Sequence, residues 1–149
     1  MEHAGRSLAG LDDCGAGRAP APGKWSAKQV LGHLIDSATI NHQRFVRAAA
    51  GEGLVFETYA QDRFVELQEP DGIEWDELLD LWRLLNRHIA RVMERAPEEL
   101  LERPHTLHNL HQVAFRLVPA GQPATLGYFM RDYVEHVLHH LGQIDPTLG

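Results

Sequence analysis

Three stretches in which apolar residues recur every three and four positions constrain this chain more than any other feature. Trp75, Leu78, Trp82, Leu85, Ile89 and Val92 have the spacing of one helical face, while Glu74, Asp76, Glu77, Arg83 and Arg87 lie off it. The pattern predicts a helix from about Ile73 to Arg95. Pro97 ends it, and Pro97-Glu98-Glu99 looks like the start of one short further turn. A second helix is predicted to open at Ser26, where Ser26-Ala27-Lys28-Gln29 has the form of a capping box. Its stripe is Val30, Leu34, Ala38, Asn41, Phe45 and Ala48, and it ends near Gly51. The third is predicted from about Thr125 to Ile144, with Leu126, Met130, Val134, Val137, Leu141 and Ile144 inward and Asp145-Pro146 as the stop.

Between these segments the signals weaken. Gly53 to Pro70 reads as a long connection with a helical turn. Val113 to Val118 favours β structure, but it is short and followed by Pro119 and Gly121, so a long loop or small hairpin is expected before the last helix. Residues 1–22 read as a flexible N-terminal segment with a short helix around Gly5 to Leu11, and 23–149 as the folded domain. Three long amphipathic helices and one short one predict an all-α, four-helix bundle.

Composition removes several functions. A formal charge of −7 and scattered arginines oppose nucleic-acid binding, which needs clustered Lys and Arg. No apolar run approaches the roughly 20 residues of a membrane helix, and no secretory signal is apparent, so a cytoplasmic protein without membrane contact is expected. Cys14 is the sole cysteine, which leaves neither a disulfide nor a cysteine zinc knot.

Histidine is the unusual component, with ten in 149 residues. His136 and His140 are one helical turn apart and therefore share a face with Phe129, Tyr133 and Gln143. Such i, i+4 pairs are the arrangement helical zinc sites use. His33, near the core side of the Ser26-capped helix, is the best third ligand. Three imidazoles with open positions describe a catalytic type of metal site, and nitrogen donors suit Zn, Ni, Cu or Fe. Asp36 and Gln143, each one turn beyond a ligand, are candidates to orient ligands or water, and His139 to cap or hydrogen-bond nearby. The order Glu135-His136-Val137 rules out the H-E-x-x-H protease pattern. His105, His108 and His111 read as a solvated loop, and Tyr59 is a candidate to reach the pocket from its connection.

Two motifs carry a resemblance. Gly23-Lys24-Trp25-Ser26-Ala27-Lys28-Gln29-Val30-Leu31-Gly32-His33-Leu34-Ile35-Asp36 resembles the early helix motif of the DinB-like superfamily. Tyr133 to Ile144, with a histidine doublet preceded by another His and followed by Gly-Gln, resembles its late motif. The resemblance covers Gly23 to Ile144. It implies a four-helix bundle of unusual connection order, often a homodimer, with nickel or zinc on His33, His136 and His140. It also implies transfer of a low-molecular-weight thiol, the cosubstrate, to a small-molecule electrophile. The alternatives are a metal-dependent hydrolase and a non-catalytic metal-binding or stress-response bundle.

Overall fold

The computed structural model describes residues 2–149 and is all-α. The helices are α1 (Glu2–Leu8), α2 (Asp13–Ala16), α3 (Ala27–Ala49), α4 (Gln61–Gln68), α5 (Trp75–Arg95), α6 (Glu98–Leu101), α7 (Leu110–Val113) and α8 (Leu126–Ile144). The three periodic segments are thus α3, α5 and α8, and the turn after Pro97 is α6. Among the described residues no strand forms, and the hairpin is absent. Two isolated bridges, Leu54 with His108 and His105 with Ala124, replace it, and α7 occupies part of the expected loop.

The capping box is reciprocal. The Gln29 N–H donates to Ser26 Oγ at 3.1 Å, and the Ser26 N–H donates to Gln29 Oε1 at 2.9 Å. Two of the N–H groups left over at the start of α3 are satisfied in this way.

The chain divides into two compact units, and α3, α5 and α8 each run through both. The first comprises the chain up to Thr39, Ala60–His88 and Leu138–Gly149. Its core includes Leu8, Leu31, Leu34, Trp75, Trp82 and Leu141. The N-terminal segment joins this core: Trp75 donates from its indole N–H to the Leu8 carbonyl at 3.0 Å and from its backbone N–H to Asp13 Oδ1 at 2.8 Å. Lys28, buried, pairs with Asp13 at 2.6 Å and donates to the Ile73 carbonyl at 2.7 Å. The glycine-rich stretch around Cys14, expected as flexible chain, is instead a helical turn capped by Asp12. The short helix expected around Gly5 to Leu11 lies earlier, at Glu2–Leu8.

The second unit comprises Ile40–Tyr59 and Ile89–Val137. Phe45 packs edge-on against Phe129 and Tyr133, with centroids 5.5 and 5.6 Å away, and Phe56 stacks on Phe129 at 5.3 Å. The inward stripe of α8 is the expected one at Leu126, Met130, Val137 and Leu141 and departs from it at Val134. Val134 is 43% exposed, while Phe129 and Tyr133, on the histidine-bearing face beside that stripe, are buried against Phe45.

The loop before α8 is tied down by side chains. Asn109 bonds both the N–H and the carbonyl of Phe56. His108 is buried rather than solvated, a correction to the sequence reading. Its Nε2 donates to the Gln122 carbonyl at 2.7 Å, and its Nδ1 accepts the Leu110 N–H at 3.2 Å.

Candidate metal centre

α3 and α8 carry the three histidines singled out above. One nitrogen from each of His33, His136 and His140 falls within 4.8 Å of the others. His33 is buried, whereas His136 and His140 are partly exposed. The His33 and His140 rings meet edge to face, with centroids 4.7 Å apart and planes at 65°. Helical spacing accounts for the pair on α8, since positions four apart project from one face.

The electrostatics suit a cation's ligands. Burial, reinforced by the nearby His140, lowers the His33 pKa to about 4, and burial also lowers that of His140. Both rings are therefore neutral at physiological pH, the form that donates a lone pair to a metal. The donor set fits a divalent ion of borderline character.

The surroundings orient the rings. Gln143 Oε1 lies 3.0 Å from His140 Nδ1. An amide oxygen only accepts, so Nδ1 carries the proton and Nε2 keeps its lone pair for coordination. The Gln143 amide nitrogen is 3.4 Å from His139 Nε2, which links His139 to the same hydrogen-bonded chain.

Asp36 departs from the expectation. Among the described residues its hydrogen-bond partner is the Gln68 amide of α4, because at 100° per residue it sits about 60° round α3 from His33. Tyr59 is close enough to influence Arg44 and Tyr133 electrostatically.

Two aromatic neighbours complete the description. Trp25 lies 5.3 Å from His33, at the entry to α3 as expected. Phe115 lies 5.6 Å from His136 and was not anticipated. Its backbone N–H and that of Arg116 donate to the buried Asp132 carboxylate at 2.8 and 2.6 Å. Arg116 also pairs with Glu135, and Tyr128 donates to the Arg116 carbonyl at 2.7 Å. The one sequence signal for this strap was Asp132, an acid one turn before His136 on the same helix face.

Comparison with known proteins agrees with this architecture. No curated protein matches the chain. Among solved structures, YfiT from Bacillus subtilis, described as a probable metal-dependent hydrolase with an unusual four-helix bundle topology, superposes with a TM-score of 0.76 at 20% identity. The alignment covers 99% of this chain and 80% of that one. The likeness establishes the fold, a four-helix bundle. The sequence pattern of the DinB superfamily matches residues 5–144, beginning earlier than the two motifs did, and the chain belongs to that superfamily.

Proposed function

We propose that His33, His136 and His140 hold one divalent ion, nickel or zinc, and that the protein is a metal-dependent enzyme acting on a small-molecule substrate. The observation that carries this reading is the convergence of three imidazole nitrogens within 4.8 Å, two of them on rings whose pKa is pushed down. An ion bound by three protein ligands supplies Lewis acidity and makes a bound water or thiol a nucleophile near neutral pH. The chain does the rest. Gln143 holds the His140 tautomer, burial keeps the His33 ring neutral, and Trp25 and Phe115 flank the His33 and His136 rings with apolar surface.

The resemblance in the two motifs favours a low-molecular-weight thiol as nucleophile, transferred to an electrophile. A second reading, hydrolysis by metal-bound water, is favoured by the description of the YfiT neighbour. A homodimer is part of the proposal, and light scattering on the purified chain checks it.

The test is elemental analysis of protein purified without a histidine tag. We expect about one equivalent of nickel or zinc in the wild type and less than a tenth of that in His136→Ala. Equal metal in both overturns the site. Thiol-conjugation and ester- or amide-hydrolysis assays on the loaded protein then choose between the two nucleophiles.

A further inference from the structure

Asp36 is a buried ionisable group that the proposed metal chemistry leaves unused. It is 7% exposed. Among the described residues its carboxylate has one hydrogen-bond partner, the Gln68 amide, and no lysine or arginine pairs with it. A carboxylate offers about four acceptor sites, and burying one without a counter-charge is costly.

That carboxylate lines an open cavity of about 320 Å³, counting the part continuous with solvent. Ile35, Val65, Ile73 and Leu78 give it apolar walls, and Leu81, also lining it, is 46% exposed. The backbone that forms one wall is held in an uncommon conformation. Glu69 has φ 45°, the one positive value at a non-glycine among the described residues. It turns the chain so that Gln68 and Pro70, on either side of it, both face the cavity. Gly32 lets Pro70 close onto α3, for a Cβ there would stand 2.9 Å from Pro70 Cβ. The same left-handed residue, Glu69, caps the C-terminus of α4, its N–H donating to the Val65 carbonyl.

We propose that this cleft binds a small primary alkylammonium. The ammonium sits on the Asp36 carboxylate, and the Gln68 amide oxygen accepts a second N–H. The alkyl body lies against Ile35, Val65 and Leu78. Three donors on one small cation match these acceptors, whereas a quaternary ammonium has no N–H to give. The site is separate from the histidine cluster and does not depend on a metal there.

The test is titration of the ¹⁵N-labelled full chain with n-butylammonium, n-butanol and tetramethylammonium. We expect saturable shifts confined to the surroundings of Gly32, Val65 and Gln68 with n-butylammonium, and binding at least tenfold weaker for the other two probes. Asp36→Asn should also weaken n-butylammonium at least tenfold while melting at or above the wild-type temperature. Equal binding of alcohol and ammonium, or no saturable binding, overturns the proposal. So does unchanged binding by a folded Asp36→Asn. Should that variant not fold, the comparison of probes on the wild type decides.

Discussion

Replacing Asp132 by alanine removes the acceptor that holds the Phe115 strap to α8. Two backbone N–H groups donate to this carboxylate, at 2.8 and 2.6 Å, and the side chain is 4% exposed. Bonds to a charged acceptor are worth about 1.5 kcal/mol each at the low end, or about 3 kcal/mol for the pair. Two effects reduce this. Burial raises the Asp132 pKa in spite of the bonds, so the carboxylate is itself held at a cost. Phe115 and Arg116 are exposed, so water reaches the released N–H groups. A net loss of about 2 kcal/mol remains. With a urea m-value of about 2 kcal/mol/M, the midpoint followed by circular dichroism falls by about 1 M at unchanged slope. Asp132→Asn keeps one carbonyl acceptor and should lose about half as much. A shift below about 0.25 M for the alanine variant, equivalent to about 0.5 kcal/mol on that slope, would refute the strap.

Three further outcomes are expected. Gln143→Leu should weaken metal binding about tenfold in a competition titration with a zinc indicator, because the His140 tautomer is no longer fixed; an unchanged affinity would remove Gln143 from the site. Glu69→Gly should stabilise the fold by about 0.5–1 kcal/mol in urea, since glycine adopts positive φ without a Cβ clash. The pH dependence of stability should report Asp13. The Lys28 hydrogen bond, then the Trp75 N–H, lower its pKa from the ordinary 3.8. Its contribution is therefore complete above that value and is lost as pH falls through the lower folded value. The wild-type urea midpoint should drop more steeply between pH 4 and 2 than that of Asp13→Asn; parallel slopes would show the pair to be idle.

The long helices were legible because burial imposes a period of three and four that survives in the sequence. The three histidines were legible for a related reason, as i, i+4 spacing needs only a helix to bring two rings together. What escaped depends on contacts between distant segments. α2 is four residues long, and Asp13 reaches Trp75 and Lys28, neither of them near it in sequence. His108 looked solvated because its partner carbonyl, on Gln122, belongs to another part of the loop. The stripe of α8 was misjudged at Val134 because Val134 and Tyr133 are equally apolar in pattern, and only the position of Phe45 chooses between them. Asp36 was placed beside His33 by adjacency on one helix, whereas α4, unforeseen in detail, supplies Gln68 and takes that carboxylate.

The central claim concerns one cation on α3 and α8. Crystals of the untagged protein grown with nickel or zinc, with data collected on both sides of the metal absorption edge, test it most directly. The account predicts one strong anomalous peak bonded to nitrogens of His33, His136 and His140, with a further coordination position taken by an exchangeable small ligand. A peak elsewhere, or three histidine rings turned apart with no density among them, would contradict it.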